Sequence, residues 1–172
     1  FLVSDAGTLK RIDYSLIKGG GITHADGFRL SANANSGTTG QVTSNWERID
    51  DASFGGIGTG LTESSGTFSF PSTGIYQIFF MGRIAQNESD AVCNLAMAVT
   101  TNNSSYDEVT LTRMQNPGYE ESGFSGMFMV DVTDTSNVKF YMKTSSFSSG
   151  TVLRGDTDIT YTGIFSVRLG DT

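Results

Sequence analysis

The chain has 172 residues, enough for one β-domain with a short extension, and a net charge of −7. That balance excludes a protein that neutralises nucleic-acid phosphates, and no apolar run approaches the ~20 residues of a membrane-spanning helix. Charged residues make up only 17 %, against about a quarter in an average domain, so Thr, Ser and Asn take the exposed positions.

Residues 1–18, FLVSDAGTLKRIDYSLIK, read as a hairpin that turns at Asp5-Ala6-Gly7, where Gly7 supplies the positive φ of a tight corner. Leu9, Ile12 and Leu16 fit a short helix equally well. Asp5, Lys10, Arg11 and Asp13 break any signal-peptide core. The chain opens on Phe1 and reads as part of a longer polypeptide. Gly19-Gly20-Gly21 is a flexible joint, dividing a connector or anchor, residues 1–21, from a knob, residues 22–172. The connector is too small to bury its own leucines and isoleucines and is expected to pack on partner chains or on the knob. His24, beside the joint, reads as a solvated linker residue.

Strands are predicted near 28–34, 42–49, 66–70, 75–84, 91–100, 106–114, 123–132, 137–144, 151–154 and 159–169. Trp46 falls on the second and needs a partner for its indole N–H. The stretch Leu61–Phe80, LTESSGTFSFPSTGIYQIFF, is the clearest. Phe68 and Phe70 alternate with polar residues, Pro71 has no N–H to continue pairing, and Gly74 makes the corner. Ile75–Phe80 then resumes as an apolar strand. The loops 53–60 (SFGGIGTG) and 115–122 (QNPGYEES) are the long irregular connections, and such loops carry recognition.

The spacing Leu61, Phe68, Gly74, Tyr76, Ile78, Phe80 resembles the globular head of the first complement component, a tumour-necrosis-factor-like (TNF-like) jelly roll, with Ile78 in place of an aromatic. Tyr161-Thr162-Gly163-Ile164-Phe165 resembles the closing strand of that family, and Phe124–Thr144 its penultimate hairpin, with Asp134-Thr135-Ser136-Asn137 replacing the usual Gly-Asp turn. The resemblance implies an all-β sandwich of two antiparallel sheets. It also implies a homotrimer packed through one sheet, for which Tyr76, Ile78, Phe80, Tyr141, Tyr161 and Phe165 are the candidates. LVSDAGTLKRI looks like connector segments of bacteriophage tail fibres and other virion appendages. Together these imply a non-enzymatic virion protein, a fibre knob or particle decoration. Residues 1–18 would join it to other virion proteins, and the knob would meet a host-surface glycan or protein. Phe54, Tyr106 and Tyr119 are the aromatics placed to stack on sugars.

Two other functions compete. A secreted complement-like or cytokine-like ligand would use the sequons at Asn87, Asn102 and Asn103. A polysaccharide-degrading appendage would use two carboxylates flanking one bond, from Asp50-Asp51, Asp107-Glu108, Glu120-Glu121 or Asp156-Asp158. Otherwise the residues offer little chemistry. With one His and one Cys no zinc site is expected, and no cofactor is implied. Cys93, in AVCNLAMAV, reads as a buried small hydrophobe. Arg154-Gly155-Asp156 reads as a turn, with neither integrin binding nor a calcium loop expected of it.

Overall fold

The computed structural model describes residues 2–11, 21–86, 90, 92–115 and 121–172, and among them every regular element is a β-strand. The first two, β1 (Leu2–Asp5) and β2 (Thr8–Arg11), form a two-stranded antiparallel hairpin. Its turn places Ala6 at φ 48° and Gly7 at φ 82°, the paired left-handed residues that match the twist of the flanking strands. The hairpin reading of this segment therefore holds. The helix alternative reaches Ile12 and Leu16, which lie outside the described residues.

The knob follows with β3 (Ala25–Leu30), β4 (Gly40–Gln41), β5 (Trp46–Arg48), β6 (Thr62–Ser64), β7 (Thr67–Ser69), β8 (Gly74–Ala85) and β9 (Cys93–Thr100). It is completed by β10 (Asp107–Met114), β11 (Glu121–Val132), β12 (Lys139–Ser145), β13 (Val152–Leu153) and β14 (Gly163–Gly170). One sheet runs β10-β9-β12-β7-β6, with β4 also on β12; the other runs β11-β8-β14-β3-β5, with β13 also on β8. All pairings are antiparallel. The architecture is the expected two-sheet jelly roll.

Sequence periodicity missed β6. Ser65 (φ 49°) and Gly66 (φ 77°) form its two-residue turn to β7, so the Ser-Gly dipeptide before Thr67 was a readable hairpin signal. Of the predicted strand 42–49 only the three residues of β5 are strand, at a sheet edge, and β4 lies just before its start. Trp46, the first residue of β5, packs on Phe68, and its indole Nε1 donates to the Val42 carbonyl at 2.9 Å.

The core lies between the sheets. Along β8 the residues Tyr76, Ile78, Phe80 and Ile84 are all fully buried, while Ile75, Gln77, Phe79 and Met81 point the other way. The facing sheet contributes Phe68, Phe140 and Met142. Phe68 and Phe140 stack at 5.2 Å, and Phe28 and Trp46 meet Phe68 edge-on. Each such ring costs about 3–5 kcal/mol to truncate. Cys93 belongs to the same core, as its apolar neighbours implied.

Candidate interaction surface

Because side chains alternate along a strand, each sheet has an outer face. On the β8–β14 sheet that face is apolar. Register places Phe79 between Met127 of β11 and Phe165 of β14, and Gln77 between Met129 and Val167. Phe79 is 41 % exposed, Met127 63 % and Met129 66 %. Phe79 and Phe165 rings lie 6.1 Å apart. Beyond β14, Gly27 of β3 has no side chain, and Phe54, Ile49 and Phe165 crowd the space its Cβ would take. An unbroken band of aromatic and methionine side chains thus crosses the sheet from β11 to β3.

At the edge of this band sits a buried cation. Arg29, on β3, is 1 % exposed. It binds Glu47 through Nε at 2.7 Å, Asp51 through Nη1 at 2.5 Å and Asp50 through Nη2 at 2.8 Å. The Glu47 hydrogen bond, with those of Asp51, outweighs burial and holds the guanidinium above its ordinary pKa. Asp26 nearby accepts from the Leu61 N–H at 2.7 Å and pairs with Arg48.

Tyr76, Ile78 and Phe80 do not line a subunit interface. They are fully buried within one chain and face the opposite sheet. Both faces of β8 are apolar, so the sequence pattern located the strand without saying which set points outward, and a one-residue shift exchanges the two. Tyr141 lies on the other sheet, its ring 4.6 Å from that of Tyr106. Phe165 is on the apolar outer face. Tyr161 stands at the rim of that face, under the guanidinium of Arg83 at 4.9 Å.

The aromatics expected to meet a ligand are also dispersed. Phe54 is half-buried over Gly27. Tyr106 leans on Tyr141 across the outer face of the β9–β12 sheet, where burial and the neighbouring Tyr141 outweigh a hydrogen bond to Thr67 and raise the pKa of its hydroxyl. Tyr119 lies outside the described residues, as does Glu120.

His24 is not a solvated linker residue. It is 2 % exposed, because the segment before β3 is tied down on both sides. Its Nδ1 donates to the Thr59 carbonyl at 2.7 Å, its Nε2 meets Ser166 Oγ at 2.7 Å, and its own carbonyl accepts from the Arg168 N–H. A Ser–His contact of this length has nucleophile-activating geometry. Here Ser166 is 1 % exposed, so its hydroxyl meets no substrate and the pair is structural.

Most of the described acids in those pairs are occupied as well. Asp50 and Asp51 hold Arg29, Glu108 holds Lys143, and Glu121 bridges Arg83 and Arg154. Asp156 Oδ1 accepts the N–H groups of Asp158 and Ile159, closing a turn. Among the described residues no group of three or more His, Cys, Asp or Glu side chains could hold a metal ion. At Cys93, burial, the Asp90 charge and a hydrogen bond to Asp90 push the thiol up to about 11, far from a reactive thiolate. Asp90 itself is desolvated by burial. Hydrogen bonds from Ser148, Thr151 and Cys93 outweigh that and hold its carboxyl below the usual carboxylate range.

No protein-family model matches the chain, and no curated protein matches its sequence. Solved structures do match. Eiger TNF from S. frugiperda superposes with a TM-score of 0.67 at 12 % identity, over 88 % of this chain and 96 % of that one. Murine APRIL gives 0.63 at 10 % identity, over 85 % and 98 %. The PRD1 vertex protein P5 gives 0.46 at 17 % identity, over 88 % and 100 %, a likeness too slight to argue from. The fold is a TNF-like jelly roll. Its likeness to these proteins fixes architecture and leaves function to the surface.

Proposed function

We propose that this chain is a non-enzymatic, homotrimeric knob of a virion appendage, acting in host-surface adhesion or particle stabilisation. The observation that carries the reading is the apolar outer face of the β8–β14 sheet, where Phe79, Met127 and Met129 are exposed side by side. A contiguous apolar patch of this kind marks a protein contact, and a closed ring of identical copies buries it without leaving a free edge. Methionine suits such a contact because its flexible side chain adapts to the facing copy.

The connector-like sequence LVSDAGTLKRI supports the virion setting, and its hairpin gives that segment a defined backbone. The single cysteine sits reduced in the core, which suits assembly in a reducing compartment better than a secreted ligand. Weak contacts repeated on three copies would add through multivalency.

Light scattering on the purified 172-residue chain tests this. A mass of about three times 18.4 kDa is expected; a mass of one chain at micromolar concentration would overturn the trimer and the multivalent adhesion built on it.

A further inference from the structure

β3 runs from Ala25, near the connector, to Leu30, roughly 16 Å away at ~3.3 Å per residue. At that far end, opposite the point where the connector joins the knob, lies a polar cleft of about 330 Å³. Its size falls in the ~300–1,000 Å³ range of small-molecule sites. Neither Phe54 nor Tyr106 lines it.

The cleft is built around Glu121. One of its oxygens takes Arg154 Nε at 2.7 Å and Nη2 at 2.5 Å, and the other takes Arg83 Nη2. Each guanidinium has five N–H donors, so both keep donors beyond those Glu121 uses. Arg83 also covers the Tyr161 ring, which walls both this cleft and an adjoining apolar trough lined by Phe79, Met81 and Phe124.

The opposite wall is rigid. Arg154 N–H binds the Arg83 carbonyl at 2.8 Å, Gly155 N–H binds Asn33 Oδ1 at 3.1 Å, and Asp156 N–H binds the Leu30 carbonyl at 2.8 Å. A Cβ on Gly155 would collide with the Ala32 backbone, so only glycine lets this segment press against the end of β3. Arg154 and Asp156 are thereby held in place before any ligand arrives, which lowers the entropic cost of binding. The same packing turns the Arg154-Gly155-Asp156 tripeptide inward as a wall, not outward as a displayed loop.

From this arrangement we infer that the cleft is a binding site for a neutral saccharide. Neighbouring sugar hydroxyls both donate and accept, and they match fixed guanidinium, carboxylate and amide groups set close together. The apolar C–H face of a pyranose ring packs on an aromatic wall, here Tyr161. Charge at the site balances, with Arg83 and Arg154 against Glu121 and Asp156, which favours a neutral ring over an acidic one. The inference rests on the adhesive reading above and names its ligand class.

Titration calorimetry and ligand-observed NMR on the full 172-residue chain test it. The probes are glucose, galactose, mannose and rhamnose with their disaccharides, against glucuronic acid, N-acetylneuraminic acid and a capped Gly-Asp-Gly peptide. At least one neutral sugar is expected to bind. Tyr161→Ala and Arg154→Gln should each weaken it at least tenfold, while Tyr106→Ala, on the opposite sheet, changes nothing. Tyr161→Phe keeps the ring and should retain binding, separating a lost stacking surface from a misfolded chain. Binding of only the acidic sugars or the peptide, or no binding by any probe, would overturn the inference. Light scattering on the same samples keeps the two proposals apart: a trimer that binds no sugar fails only this one, and a monomer that binds sugar fails only the trimer.

Discussion

The two sheets share one core and differ on their outer faces. On the β8–β14 sheet the outward set includes Phe79, Met81, Met127, Met129 and Phe165, with a cation buried beneath its carboxylates at the edge of that band. On the β9–β12 sheet the outward positions of β12 are Lys139, Tyr141, Lys143 and Ser145. There the Lys143–Glu108 pair and Tyr141 cover Ala96 and Ala98, which are 2 % and 1 % exposed. The first face exposes apolar groups at its centre and keeps its charges at the rim, whereas the second carries charged and hydroxyl groups along β12 and leaves Leu111 exposed on its β10 side. Water can satisfy the second face alone, whereas the first calls for a partner surface.

The sharpest way to break this contrast is to place the same charge on each face. Phe79→Asp puts a carboxylate in the middle of the apolar band, where assembly would bury it unpaired. Light scattering should fall from three chains to one. Tyr141→Asp on the polar face should leave the mass at three, and equal effects from the two variants would remove the distinction. The next largest effect is expected at Arg29. Arg29→Ala leaves Glu47, Asp50 and Asp51 facing one another without their shared cation. Removing one partner of a buried pair costs about 3–5 kcal/mol, and the lower end applies because Asp50 is 81 % exposed and its charge reaches water. Urea unfolding should read a loss of about 3 kcal/mol; a loss within ~0.5 kcal/mol would mean that the cluster is not holding β3 to β5.

Most of the sandwich was legible in the sequence because its strands are long and strictly alternating. The predicted strand 75–84 is β8 within a residue at either end, and 123–132 is β11 with two residues added at its start. The short edge strands were less legible: two or three residues cannot display a period, so β4 and β6 were missed and β5 was predicted too long. The β8 residues expected at an interface are core, and the alternate set on that strand is the outward one. Tyr76-x-Ile78-x-Phe80 and Ile75-x-Gln77-x-Phe79-x-Met81 are both apolar enough to be core, and only the facing sheet decides between them. Gln77, a polar residue in the outward set, was the available hint. The distal cleft was not legible at all. Glu121, Arg83, Arg154 and Asn33 come from four separate segments, and their convergence depends on the pairing of Glu121 with Ala85 and of Val152 with Ala85 across β8.

The smallest expected effect completes the comparison, on the charge that the polar face leaves in view. Lys143 Nζ meets Glu108 Oε1 at 2.5 Å, with side chains 30 % and 40 % exposed. The hydrogen bond to Glu108 outweighs a small desolvation and raises the Lys143 pKa above its ordinary 10.5. A raised folded-state pKa means that the pair's stabilisation is fully present below the unfolded pKa and is lost as pH rises through the folded one. Solvent screening limits its size, and pairs of this exposure contribute well under ~1 kcal/mol. Lys143→Ala should therefore lower stability slightly in urea at pH 7, and 0.5 M salt should shrink the difference further. The gap to the unsubstituted chain should narrow as pH rises past the lysine range. A loss as large as that of Arg29→Ala would show that the two faces handle charge alike, and the contrast between them would fail on its own terms.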